Sequence, residues 1–239
     1  MSIATRRKTL PVSGLELTTR KPDGVAEELL ATNLNRMQEV LPDYWSRCIV
    51  SLGNGKPDRK QLLDLTVQDQ RVMAVEIGRC AYPKGILQLG GMCPHCGRPL
   101  RIDANLDDMD DDYREAPDDL DTENPVWDME IPEINSVVTL GYITGHDELW
   151  LRKKKGLLHT LHRHIKAIDG DTNVPFKTVE SWESDVHRAL RQSIQEHDCG
   201  YNTMMYFVHD VCNKAVNYDL LTDPSFLMPG LPGPSAWVR

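Results

Sequence analysis

Met92-Cys93-Pro94-His95-Cys96-Gly97-Arg98-Pro99-Leu100 is the most specific stretch of the chain, and the arrangement of the rest follows from it. Two thiols separated by two residues, with a glycine directly after, form a knuckle whose turn aims both sulfurs at one cation. A single Cys-x2-Cys supplies only half of a closed tetrahedral site, which needs four nitrogen or sulfur ligands. An offset of 116 residues nominates the other half. Cys93 falls on His209 and Cys96 on Cys212, so His209-Asp210-Val211-Cys212 has the same spacing. The predicted set is Cys93, Cys96, His209 and Cys212, a Cys3His site for structural zinc. A closed set leaves no position for water, so the expected role is folding rather than catalysis. A redox use of the Cys pair fits less well, because it follows a β-like run rather than opening a helix. His95 inside the knuckle is expected to point outward.

Working outward, the same offset places Ile49 on Ile165, Asp69 on Asp185 and Asp103 on Asp219 without a gap. Upstream, an offset of 121 places Pro11 on Pro132, Thr18 on Thr139, Gly24 on Gly145 and Leu30 on Leu151. Identity is near chance, so the case for an internal repeat rests on the order of elements. Leu15–Thr19 alternates like a strand, and Asp23 opens an amphipathic helix. Asp58 caps a short helix, residues 67–81 give a long one, and Ile86–Met92 leads into the knuckle. The second half repeats this with a strand over Ser136–Tyr142, helices over 145–168, 175–182 and 184–197, then a β-like run over Tyr201–Val208. The expected fold is α+β: two similar helical halves joined through a zinc-ribbon-like pair of β-hairpins. The segments are a tail (1–9), a first repeat (10–106), an acidic linker (107–123), a second repeat (124–222) and a Pro-rich tail (223–239).

Charge locates the linker. The chain has 239 residues, 27 Lys+Arg against 36 Asp+Glu, and a formal net charge of −9. Residues 107–123 contain ten acids and one base, which is −9 by itself, so everything else sums to zero. A self-repelling run poor in apolar residues is expected to stay a flexible connector. Excess acid and the lack of a Lys/Arg-aromatic face argue against a nucleic-acid partner. No apolar run approaches the ~20 residues of a membrane span, and no secretory pattern follows the basic N-terminus. A cytoplasmic protein with reduced cysteines is expected.

Other chemistry is thin. Cys48 is expected in the core, and Cys199 is a reserve ligand. Arg152-Lys153-Lys154-Lys155 with His159, His162 and His164 describes a solvated basic stripe, close enough in sequence to the acidic linker to attract it in a salt-dependent way. There is no Walker loop, no G-x-S-x-G elbow and no H-E-x-x-H. Nothing calls for an enzyme. In the C-terminal stretch, Phe226, Leu227, Leu231 and Trp237 sit among four prolines. They are read either as a tail packed on its own domain or as an arm docking a partner; Pro-rich segments lose little entropy on binding.

The run Leu10-Pro11-…-Gly14-Leu15-Glu16-Leu17, then Pro22-Asp23-Gly24-Val25-Ala26-Glu27-Glu28, helices with Asp69 opening the last, and the hairpin Cys-Pro-His-Cys-Gly resemble a known family. They are similar to the baseplate hub assembly chaperones of contractile-tailed (T-even-like) phages and related injection systems. The similarity covers most of residues 10–106 and, more faintly, 131–222. It implies a non-enzymatic assembly or structural role made through protein–protein contacts with hub, spike, tube or tape-measure proteins. It places the protein in the host bacterial cytoplasm during assembly and in the virion baseplate thereafter if it stays. Cys93 and Cys96 carry over as metal ligands; the second half departs from the pattern, lacking the Pro and Gly at its own knuckle. A zinc-ribbon nucleic-acid-binding or transcription-related module is the alternative reading.

Overall fold

Capped helices and short antiparallel strands alternate along the chain in a computed structural model that describes residues 5–154, 156–222 and 224–228. The first half opens with β1 (Thr5–Thr9), β2 (Glu16–Arg20), α1 (Gly24–Ala31), α2 (Met37–Cys48) and β3 (Ile49–Leu52). It continues with α3 (Arg59–Asp64), α4 (Val67–Ala81) and the hairpin β4 (Ile86–Met92)–β5 (Pro99–Asn105). The second half runs β6 (Val126–Ile131), β7 (Ser136–Gly141), α5 (Gly145–Leu151), α6 (Leu157–His164) and β8 (Ile165–Ile168). Then come α7 (Phe176–Glu180), α8 (Ser184–Glu196), the hairpin β9 (Met204–His209)–β10 (Lys214–Asp219), and α9 (Pro224–Leu227). The architecture is α+β with small antiparallel sheets. Two sheets are three-stranded, in the orders β1-β2-β3 and β6-β7-β8, and the hairpins form two-stranded sheets. Each three-stranded sheet has a register shift where its third strand joins, at Thr18/Thr19 and at Thr139/Leu140.

Helix starts follow local chemistry. Asp23 accepts the Ala26 N–H at 2.8 Å, and Asp58 forms a reciprocal capping box with Gln61. Thr66 caps α4 and Thr144 caps α5, each oxygen taking an amide that the first helical turn leaves without a partner. The two cap segments also pair with each other: Val67 N–H donates to the Ile143 carbonyl and Gly145 N–H to that of Leu65.

α4 is the central strut, buried along nearly its whole length. Its Val72, Met73, Ala74, Val75 and Ile77 join α1, α2, β4 and β5 in the larger core. A helix buried all round must also satisfy its polar residues internally. Asp69 accepts the Val12 and Ser13 amides at 2.9 and 3.0 Å. Arg79 donates to Glu76 at 2.9 Å, to the Tyr201 hydroxyl at 2.7 Å and to the Leu106 carbonyl at 2.6 Å. Tyr201 in turn donates to Glu76, so a buried ionic network ties the second half to the first. A smaller core holds Ile131, Val138, Leu140, Leu161, Ile165, Val179, Val186 and Leu190.

Four expectations change. Thr5–Thr9 is no tail: it pairs with β2 from Thr5↔Arg20 to Thr9↔Glu16. The predicted helix over 145–168 splits at Gly156, whose φ of +117° favours glycine, and its end becomes β8. Residues 107–123 lie against the body: Asp110 pairs with Arg79 at 3.0 Å, Tyr113 meets the Tyr201 ring edge-on, and Arg114 bridges Gly200. Composition counted the repulsion of the acids but not the anchoring by Met109, Tyr113 and Leu120, which pack on the cores. Lastly, Phe226 and Leu227 are sealed in the larger core at 0% and 1% exposure, so neither is a docking residue. Leu231 and Trp237 lie outside the described residues. Among the described residues no helix is long and apolar enough to cross a membrane.

Candidate metal centre

The knuckle at Cys93 is built by backbone geometry. The Cys93 N–H donates to the Arg98 carbonyl at 2.8 Å, and the Gly97 N–H returns to the Cys93 carbonyl at 2.9 Å. Gly97 sits at φ +67°, the left-handed region where a side chain is disfavoured. The turn after β9 repeats this. Asn213 N–H donates to the His209 carbonyl at 2.7 Å, and Asn213 takes φ +53°. Asparagine is among the few non-glycine residues that adopt this conformation readily. Asn213 thus stands four residues after His209, as Gly97 stands four after Cys93. Its role went unread in the sequence, although that spacing was a usable signal.

The turns bring all four predicted ligands together. Their ligand atoms lie within 4.8 Å of one another. Cys93 Sγ is 3.7 Å from Cys212 Sγ, Cys96 Sγ is 3.5 Å from His209 Nδ1, and that nitrogen is 3.3 Å from Cys212 Sγ. Around a tetrahedral ion with metal–sulfur bonds of about 2.3 Å and metal–nitrogen bonds of about 2.0 Å, the expected edges are about 3.8 Å (S···S) and about 3.5 Å (S···N). Three of the edges therefore match a tetrahedral cage that could hold a metal ion.

The hairpins seat this cage firmly. Cys93 packs with Leu100 and Val216, flanked by Phe207 and Cys212. The Tyr218 hydroxyl donates to the Gly90 carbonyl at 3.2 Å. His95 points away from the cage and contacts the Ala215 carbonyl through Nε2 at 3.0 Å. Cys93 and His209 are 2% and 3% exposed, while Cys96 lies at the surface. Desolvation raises the Cys93 thiol, but amides of His95 and Cys96 and hydrogen bonds with Cys96 and Cys212 outweigh it and bring it down to about 6. Desolvation also raises Cys212, relieved in part by the Lys214 amide. The lowering of Cys93 favours the thiolate, the form a metal requires. With Nδ1 facing the sulfurs, His209 Nε2 is buried with no hydrogen-bond partner, and the Asp210 carboxylate stands 3.6 Å away. A modest shift would let that carboxylate orient the ring, as carboxylates commonly do for metal-bound histidines.

Cys199 is not a ligand. It is buried with Val12 and Tyr142, and burial pushes its thiol up to about 12. Cys48 lies in the larger core, its thiol likewise pushed up by burial to about 12. His159 stacks on Phe176 at 4.3 Å, His162 contacts the Val174 carbonyl, and buried His164 contacts that of Gly141. His159 and His162 share the Phe176 ring, and His164 contacts neither of them. Comparison with protein-family models, curated proteins and solved structures finds no match.

Proposed function

We propose that the protein is a non-enzymatic assembly or structural component of a contractile phage tail or injection-system baseplate, held in shape by one structural zinc. The observation that carries the zinc reading is the cage: four protein donors, three of them thiols, at tetrahedral-edge separations. Thiolate-rich tetrahedral sets favour zinc, and four protein ligands leave no coordination position for a substrate. The ion would join two ligand pairs 113 residues or more apart in sequence, so its binding energy becomes folding energy.

The two halves are read as an internal duplication fused across this ribbon. Supporting it are the repeated element order, the matched sheet orders with register shifts at the third strand, and the paired left-handed residues Gly97 and Asn213. Leu100 and Val216, 116 residues apart, meet in the same cluster. The baseplate role rests on the resemblance of residues 10–106 and the knuckle to the hub assembly chaperones. Its test is deletion of the gene in a phage that carries it, with electron microscopy of the particles and mass spectrometry of the baseplate. Tails without complete baseplates are expected; intact, infectious particles would overturn the assignment.

A further inference from the structure

Two oppositely charged surfaces face solvent without meeting. Between Leu149 and Ile168 the chain has six Lys/Arg and no Asp/Glu. Arg152, Lys153 and Lys154 project from the loop after α5, all exposed. Arg163 covers the Trp150 ring at 4.0 Å and Lys154 lies 5.4 Å from it. The ion pairs of this surface are local, Arg152 with Glu148 at 2.8 Å and Arg163 with Asp147 at 3.5 Å. Lys153 and Lys154 have no carboxylate partner among the described residues.

The acidic surface is a groove rather than a bare run of charge. Asp111 and Asp112 line a cavity of about 440 Å³ together with Arg114, Tyr113, Tyr201 and Tyr206, and with Asp198, which pairs with Arg71. A second cavity of about 330 Å³ shares Asp112 and Tyr206 and adds Asp103, Asp108 and the side chains of Met109 and Met204. Tyr206, 70% exposed, stands where the two join. This chain's own Lys8 already lies over the Tyr113 ring at 4.0 Å and 5.6 Å from that of Tyr201, so the open ring is that of Tyr206. With acids and methionines beside it, it suits a second lysine, whose stem packs on apolar surface while its ammonium meets the carboxylates and the ring. Within the 107–123 segment only Asp110 has an ion-pair partner among the described residues, and none of its acids pairs with the basic stripe. The salt-dependent attraction expected from the sequence is therefore not made among the described residues.

We propose that the chain binds a second copy of itself, the Arg152–Lys154 loop of one copy entering the acidic Tyr206 groove of the next. The contact joins different surfaces, so it is heterologous and builds rings or open chains rather than a two-fold dimer. It stands independently of the metal and of any baseplate role. The charges involved are exposed, so the contact is screened as salt rises.

Light scattering after size exclusion, on the full chain with zinc present, tests this with two double variants, Lys153→Glu/Lys154→Glu and Asp111→Lys/Asp112→Lys. Circular dichroism confirms that each variant is folded. In about 0.01 M salt, where the Debye length is about 30 Å, the wild-type protein is expected above its monomer mass, falling back in about 1 M salt where that length is about 3 Å. Each variant alone should stay at 27.1 kDa. Their mixture should associate again, because the reversed loop of one fits the reversed groove of the other. A wild-type protein that stays monomeric in low salt, variants that associate as the wild type does, or a mixture that stays monomeric would each overturn the proposal.

Discussion

Gly78 and Phe226 allow the place of the C-terminal helix in the core to be measured. A Cβ on Gly78 would stand 2.8 Å from two carbons of the Phe226 ring, with Leu106 next at 3.6 Å. The ring is completely buried. Phe226→Ala should cost about 3–5 kcal/mol, and at about 2–4 °C per kcal/mol for a chain of this size that is a drop of ~6–20 °C in Tm. Gly78→Ala has opposing terms. Alanine improves the helix by about 0.8–1 kcal/mol, while overpacking costs about 1–3 kcal/mol. The single substitution should therefore range from neutral to about 2 kcal/mol destabilising. Once Phe226 is alanine the clash is gone, and Gly78→Ala should stabilise by about 0.8–1 kcal/mol. Its sign reverses, and the coupling energy is about 1–3 kcal/mol. Urea denaturation of the wild type, both single variants and the double variant, all zinc-loaded, gives that coupling. Additivity within about 0.3–0.5 kcal/mol would refute the packing of Phe226 against α4.

Other expectations follow from single residues. Asn213→Gly should preserve the second knuckle, whereas Asn213→Ala should destabilise it by about 1–2 kcal/mol through its left-handed backbone, read as weaker zinc binding in a chelator competition. Glu76→Gln leaves Arg79 buried without its main counter-charge and should cost about 3–5 kcal/mol in a denaturant titration; no loss would mean that the network linking the halves is open to water. Burial lowers the pKa of His164 below its ordinary value, against the opposing bond to the Gly141 carbonyl. The unfolded chain therefore binds the extra proton first, so this stabilisation is full above about pH 6.5 and is lost as pH falls through the window beneath it. Thermal melts of wild type and His164→Gln between about pH 5 and 7.5 should converge toward the acid end, and parallel curves would contradict the sign.

How far the sequence reveals this structure depends on whether a signal is local. The helix over 67–81 and the strand Ile86–Met92 are legible because caps, apolar spacing and the knuckle bound them tightly, and both coincide with α4 and β4. The short strands β1, β3 and β8 are not. Thr5–Thr9 is a charged, exposed edge, and Ile49–Leu52 and Ile165–Ile168 are four-residue runs that directly follow helices. Only partners distant in sequence make them strands. The ligand set was legible because an offset pointed to His209 and Cys212 despite the missing Pro and Gly. The turn that makes the offset work depends on Asn213, whose left-handed conformation shows only in the backbone. The docking reading of Phe226 and Leu227 fails because prolines nearby say nothing about which side chains find a hydrophobic slot.

The most direct test is zinc itself, by metal analysis of the purified chain and of Cys96→Ser and Cys212→Ser variants, with thermal melts before and after chelation. The proposed function predicts one zinc per chain, equal loss of metal in both variants, and a large fall in melting temperature when the ion is removed. A chain with well under one zinc, or a melt unchanged by chelation, would contradict a metal that clasps the two hairpins.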